Sequence, residues 1–291
     1  MISIIIASLS EQLLFHVKQN IKQTIGVECE IIAFDNSDGS KGLCEIYNLG
    51  VQKSKFDLLC FMHEDVDIKT ENWGDIVNRA FKQNPKLGLL GIAGTTYKAL
   101  SPSGWHCNAT DVERTNIIQT FKFAEKEKIH HLKNPLNEVF SNVACVDGVW
   151  FCTKKDIANR FPFDEKTFKH FHGYDLDFSM QVYQNYDINV RFDILLHHFS
   201  EGKFDRKWIE EILKFHNKWD KSLPINIRGF DKEEQLSVEK RTFKDFIRKA
   251  LTYGIPKLIL FKTIWKTQGI KKISFLLLLK LTTYLSLNRK S

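Results

Sequence analysis

The sequence predicts an α/β fold, an open Rossmann-like sheet with flanking helices, and three observations carry that prediction. Leu58–Met62 is an unbroken apolar run that leads straight into His63, Glu64, Asp65 and Asp67. Residues 2–40 follow the order strand, helix, strand, polar Gly-containing loop, which is a βαβ unit with its ligand edge at the strand ends. A fourth apolar strand at 87–93 follows a helix-spaced segment at 73–83.

Residues 2–7 are β-branched and form the first strand, with 8–10 as a turn and helix cap. Leu14, Val17, Ile21 and Ile25 recur at helical spacing, so 11–25 is a crossover helix. The second strand, 29–34, closes on Asp35 and the loop Asn36-Ser37-Asp38-Gly39-Ser40. An acid at that place holds a nucleoside in many such folds, and an Asp in a turn also serves merely as a turn former. A helix over 42–54 leads to the central strand. A short apolar run without a polar break reads as a strand buried on both faces, and ligands bind beyond the carboxyl ends of such strands. Three carboxylates and an imidazole gathered there repel one another unless a cation lies between them. Hard divalent ions favour carboxylate oxygen, and imidazole tolerates Mn²⁺. The plainer alternative is a solvated acidic turn.

Asn84-Pro85 ends the helix at 73–83. Residues 95–116 read as a long polar loop with Trp105 and His106 near its tip, a length that marks functional or mobile loops. Trp105 there is either a stacking platform for a sugar or an anchor for the loop. The strand-like run 144–153 is interrupted by Asp147-Gly148, where glycine permits a bulge or close backbone approach and Asp147 faces a cleft. Phe171-His172-Gly173-Tyr174-Asp175-Leu176-Asp177 opens a helix over 178–186, which sets Asp175 and Asp177 where the helix dipole favours anions and an acid can cap. A strand at 188–196 ends on His197-His198-Phe199-Ser200-Glu201-Gly202, a surface turn or the completion of a metal site with Asp65.

At 291 residues the chain can bury one large core or a domain with a smaller companion. Six cysteines without a CxxC pair, several in apolar runs, suit reduced thiols in a cytosolic protein better than a disulfide framework. The N-terminal MISIIIASLS lacks a basic region and is too short in its apolar run for a signal peptide. The net charge of +7 conceals an asymmetry. Residues 240–291 carry thirteen Lys and Arg against the single acid Asp245, whereas 1–239 carry 29 bases and 34 acids. Leu258, Phe261, Ile264 and Trp265 share a helical face, with Lys262 and Lys266 on the other. The run 273–287 is broken by Lys280 and falls short of the roughly 20 apolar residues of a membrane span. Basic amphipathic helices of this kind lie in the membrane interface. The tail is therefore expected to attach peripherally to the inner face of the membrane, the alternative being a bundle against the domain or a second subunit. Nucleic acid is not an expected partner, since the bases alternate with aliphatics rather than stacking aromatics.

Six features in order — the first strand, the Asp35 loop, HEDV, VDG, FHGYDLDFS and HHFSEG — resemble glycosyltransferase family 2 over about residues 1–220, most closely a StrF-like branch whose metal motif reads His-x-Asp-Val. The resemblance implies the GT-A fold in a domain at 1–222, followed by a basic, mostly helical region at 223–291. It implies an inverting enzyme that uses Mn²⁺ or Mg²⁺ and moves a sugar from a nucleotide-diphosphate sugar to a saccharide or lipid-linked acceptor, in cell-surface polysaccharide synthesis. By position, Asp35 holds the nucleoside, Ala7 and Ser8 line the base pocket, and Glu64, Asp147 and Gly148 lie along the nucleotide-sugar. Asp65 is the primary metal ligand, with His197 or His198 as the late one. Asp175 is the catalytic base, kept ionised by the helix start. Trp105, Tyr174 and Asp177 fall on the sugar and acceptor side. His63 stands where the family has its first Asp, and Tyr174 where it has a Glu. These departures keep a second reading alive, a nucleotide-sugar or glycan-binding module of the same fold without turnover. A nucleotidyltransferase is expected to show a Gly- and Lys/Arg-rich loop after the first strand, and ASLSEQ has neither. A homo-oligomer is left open.

Overall fold

The computed structural model describes residues 1–122, 126–202 and 204–288. Its elements begin β1 (Ile2–Ser8), α1 (Glu11–Thr24), β2 (Cys29–Asp35), α2 (Leu43–Lys53), β3 (Leu58–Met62), β4 (Val66–Ile68), α3 (Trp73–Gln83), β5 (Leu87–Gly91), β6 (Ala93–Thr95) and β7 (Tyr97–Lys98). They continue with β8 (Glu113–Gln119), β9 (Ile129–Lys133), β10 (Phe140–Asn142), β11 (Cys145–Val146), β12 (Trp150–Lys154), α4 (Lys155–Arg160), α5 (Tyr174–Tyr183), β13 (Asp187–Arg191) and β14 (Leu196–His198). The C-terminal elements are α6 (Arg206–Lys218), β15 (Ile225–Asn226), α7 (Lys232–Thr252), α8 (Lys257–Ile264), α9 (Thr267–Lys272) and α10 (Phe275–Leu287). The chain forms two compact units, 1–95 with 113–202, and 96–112 with 203–291; residues 289–291 of the basic tail lie outside the described residues.

In the first unit a seven-stranded sheet runs β10-β13-β5-β12-β3-β1-β2. β1 is parallel to β2 and β3, and β12 is inserted antiparallel between β3 and β5. β3 is thus interior, as its unbroken apolar run requires. Cys60 and Met62 enter a core with Ile4, Ile6, Trp73 and Trp150. Phe61 faces the other way, stacking on Phe151 at 5.1 Å and meeting Tyr47 at 4.8 Å. Each such buried aromatic side chain contributes on the order of 2–3 kcal/mol by burial. The apolar stretch expected as one strand at 87–93 divides, because Leu87–Gly91 pairs in the large sheet while Ala93–Thr95 pairs with β8 and β11 in a second. That second sheet runs β11-β6-β8-β14-β4, with β9 also on β8. β4 follows His63–Asp65 directly and β14 carries the His pair, so this small sheet sets the site.

In the second unit, residues 96–112 are largely buried rather than a mobile loop. The cause is Glu239 of α7, itself 3% exposed, which accepts from Tyr97 Oη at 2.7 Å and from the backbone N–H groups of Leu100 and Ser101 at 2.9 and 2.7 Å. β7 also pairs with β15. Helix α7 starts at Lys232, fixed by a capping box of Asp231 and Glu234. Among the described residues no helix is long and apolar enough to cross a membrane.

Candidate active site and metal centre

The end of β3 and the start of β4 alternate in facing. Glu64, Val66 and Ile68 point inward, while His63, Asp65 and Asp67 are half-buried on the opposite side. This period of two separates roles that HEDVD leaves merged. Glu64 Oε2 accepts from Ser8 Oγ at 2.6 Å and from Ser10 N at 3.3 Å, and Oε1 from Leu9 N at 2.9 Å. Both oxygens take part in holding the β1–α1 turn, which fixes Ser8 and Glu64 beside each other at the edge expected for the nucleotide. Ala7 is half-buried beside them, and the parallel register sets Ser8 opposite Asp35. Asp35 is exposed and accepts from Ser37 N at 2.9 Å, the bond that lowers its pKa.

Asp65 is the centre of a cluster. Its Oδ2 accepts from Ser200 Oγ at 2.5 Å, and its Oδ1 lies 3.4 Å from His198 Nε2 and 3.9 Å from His63 Nδ1. One ligand atom from each of His63, Asp65 and His198 lies within 4.8 Å of the others. Burial by itself would raise the Asp65 carboxyl, but His198, His63 and the Ser200 hydroxyl together hold it below the ordinary carboxylate range. Burial lowers His63, with Asp65 pulling the other way, so its imidazole is neutral at neutral pH and keeps a lone pair to offer. His198 Nε2 is buried without a hydrogen-bond partner among the described residues. A carboxylate, two imidazoles and an orphaned buried nitrogen fit a divalent cation, and this donor set suits Mn²⁺ better than the all-oxygen preference of Mg²⁺.

His197 and His198 were equivalent in sequence, and strand geometry separates them. His198 pairs with Val66 and Gln119 across β14, and His197 with Asp67 and Ile118, so the two side chains leave opposite faces. His197 Nε2 meets Thr120 Oγ1 at 2.7 Å and its ring packs on Phe199, away from Asp65. The cluster thus takes His198 of the pair, and His63 joins it as a third member. Its signal was present in the His-Glu-Asp order, but β4's register was needed to read it.

Asp175 is half-buried in the first turn of α5, after Gly173 at φ 85°. Burial, then the Asp147 charge, push its carboxyl up to about 7, against the backbone N–H groups of Leu176, Asp175 and Gly148 that favour the ionised form. The helix start therefore does not keep Asp175 ionised as expected; desolvation outweighs it. Asp147 is half-buried and accepts from Val149 N at 2.8 Å. Tyr174 is only 4% exposed, its hydroxyl 3.0 Å from His63 Nε2 and donating to the Gly148 carbonyl at 3.1 Å, so it is not an open acceptor contact. Gly148 meets this phenol instead of lying free along a ligand. Asp177 is 1% exposed and accepts from Gln181 Nε2 at 3.0 Å. Two residues along a helix turn it about 200° from Asp175, which removes it from the acceptor side. Trp105 lies in the second unit, half-buried with its ring against His106.

Residues 3–223 match the glycosyltransferase like family, and the chain belongs to that family. Its fold is GT-A. The solved structure of S. aureus TarS resembles it with a TM-score of 0.52 at 10% identity, over 98% of this chain and 52% of that one. GalNAc-T7, crystallised with UDP, GalNAc and Mn²⁺, gives a TM-score of 0.48 at 11% identity, over 88% of this chain and 58% of that one. The chain thus spans little more than half the length of either protein. No curated protein matches it.

Proposed function

We propose that the chain is an inverting glycosyltransferase that takes a nucleotide-diphosphate sugar as donor and a saccharide or lipid-linked molecule as acceptor, in cell-surface polysaccharide synthesis. The observation that carries this reading is the pairing of a carboxyl poised near neutrality, Asp175, with the His63–Asp65–His198 cluster in the same unit. Asp175 takes the proton of the acceptor hydroxyl as that oxygen attacks the anomeric carbon from the face opposite the leaving diphosphate. A base whose pKa lies near the working pH combines a usable ionised fraction with basicity. Burial, and after it the charge of Asp147, keep that pKa high. Asp65, His63 and His198 would hold a divalent cation, with Mn²⁺ favoured by the two imidazoles. Such an ion supplies Lewis-acid neutralisation of the departing diphosphate. The open ends of β1 and β2, with Ala7 and Asp35, are the place for the nucleoside.

Calorimetric titration of UDP-, GDP- and dTDP-sugars with Mn²⁺, with Mg²⁺ and without metal tests this reading. One nucleotide class should bind, and bind more tightly with Mn²⁺ than with Mg²⁺. Silence across the panel from folded protein would sink it and leave the glycan-binding module of the same fold.

The transferase domain is assigned to 1–222 and the basic helical region, 223–291, to membrane attachment. In support, Leu258, Phe261, Phe275, Leu276 and Leu279 are exposed, and Phe261, Trp265 and Phe275 form a continuous aromatic run at 6.2 and 5.7 Å. Lys257, Lys262, Lys271 and Lys280 are exposed among them, and no acid follows Asp245. That combination suits an anionic bilayer surface. The full chain should co-sediment with vesicles of phosphatidylcholine and phosphatidylglycerol, lose that binding in high salt, and ignore pure phosphatidylcholine. A stable homodimer that ignores both vesicle types would assign the face to a second copy instead.

A further inference from the structure

His63 and Tyr174, 111 positions apart in the chain, touch each other. Tyr174 Oη lies 3.0 Å from His63 Nε2 and 3.1 Å from the Gly148 carbonyl oxygen. A phenol has one proton to give, and a carbonyl oxygen can only accept. With the phenol proton on Gly148, the Tyr174 oxygen accepts from His63 Nε2–H. With the proton on His63 instead, two bare oxygens would face each other at 3.1 Å in a buried place. Only the first arrangement satisfies every member, as a buried polar network requires.

An imidazole protonated on Nε2 carries its lone pair on Nδ1, the atom that faces Asp65 Oδ1 at 3.9 Å. His198 follows the same logic with its nitrogens exchanged. Gln119 Nε2 donates to the carbonyls of Thr120 and Ser200 at 2.7 and 2.8 Å, which leaves Gln119 Oε1 to accept from His198 Nδ1 at 3.2 Å. The His198 lone pair is then on Nε2, the orphaned atom 3.4 Å from Asp65. A metal-binding histidine characteristically donates its second N–H to an outer partner that fixes tautomer and ring orientation.

We propose that Tyr174 is a positioning residue that fixes His63 in its Nε2–H form through the Gly148 carbonyl, and so presents Nδ1 beside Asp65 and His198 to a divalent cation. Gly148 is part of the device: a Cβ there would sit 2.1 Å from the Tyr174 hydroxyl oxygen, so only glycine admits the phenol. Tyr174 also packs against Tyr47 and Phe151, contacts that phenylalanine would keep. The proposal rests on the metal reading of the cluster, and its test separates the two.

Imidazole ¹⁵N spectra of the metal-free protein at neutral pH should show His63 as the Nε2–H tautomer, and Tyr174→Phe should lose that preference while melting as the wild type does. Mn²⁺ alone, titrated by calorimetry, should bind Tyr174→Phe about 10–100-fold more weakly than wild type. An Nδ1–H tautomer in the wild type overturns the proposal, as does undiminished Mn²⁺ affinity in Tyr174→Phe. Mn²⁺ binding that survives Asp65→Ala strikes the metal reading itself and with it the ligand role of Nδ1. That failure is recognised by a tautomer which, read without metal, still follows Tyr174.

Discussion

Replacing Asp175 by asparagine is expected to lower kcat/KM by about 10²–10⁴-fold while donor binding persists, the size of effect that removal of a general base produces. Asparagine retains an oxygen for the backbone N–H groups of Leu176 and Gly148 that reach this carboxyl, but it cannot receive the acceptor proton. The same residue sets the pH dependence. A base acts only when ionised, and burial with the Asp147 charge places this ionisation at about 7, so wild-type turnover should fall as pH drops through that value. Stability moves the opposite way. The folded pKa is raised above the unfolded one, so the unfolded chain loses this proton first. The wild type is therefore stabilised least above about 7, where the carboxylate is charged in its half-buried place. Asp175→Asn should accordingly melt higher than wild type in mildly alkaline buffer while being nearly inactive. Retained turnover would remove Asp175 as the base, and a lowered melting point would mean that the carboxylate supports the fold.

Asp65→Ala carries the second large effect. It should abolish Mn²⁺-dependent nucleotide binding, a loss beyond the roughly 10–100-fold that an outer-shell partner accounts for. Asp65 is the only carboxylate of the three clustered groups, and His198 and His63 both face its Oδ1. Without it two imidazoles remain, which give a divalent ion no compensating charge. Calorimetry with Mn²⁺ and the bound nucleotide, compared with metal-free binding, checks this. A Kd for Mn²⁺ within a few-fold of wild type would place the cation elsewhere.

Much of this site is legible in the sequence, and what is hidden follows from strand geometry. The apolar run of β3 and the acids behind it announce a buried strand with a charged exit, because no other element hides both faces. The choice between His197 and His198 is not legible, since a register shift of one residue exchanges the faces of a strand. That register is set by β4 and β8, whose pairing residues lie far off in the chain. Tyr174 reads as an oddity in sequence; only the fold shows that its hydroxyl answers the oddity at His63. β8 goes unseen because Glu113-Arg114-Thr115-Asn116 looks like polar loop, although Arg114, Thr115 and Asn116 are buried and bonded. The start of α7, by contrast, is open to view in the capping-box spacing of Asp231 and Glu234.

The grip of Glu239 on residues 97–101 bears on how the protein is made. Leu100 and Glu239 are 139 positions apart, and at about 5–20 residues per second a ribosome needs roughly 7–28 s to deliver the second after the first. Through that interval the Leu100 and Ser101 amides wait for their native acceptor, while β6 and β8 on either side of them can already pair. The nascent protein thus carries an unfinished excursion that closes only after α7 emerges. A chain truncated at residue 222 would keep that excursion permanently open, and is the form most prone to aggregate.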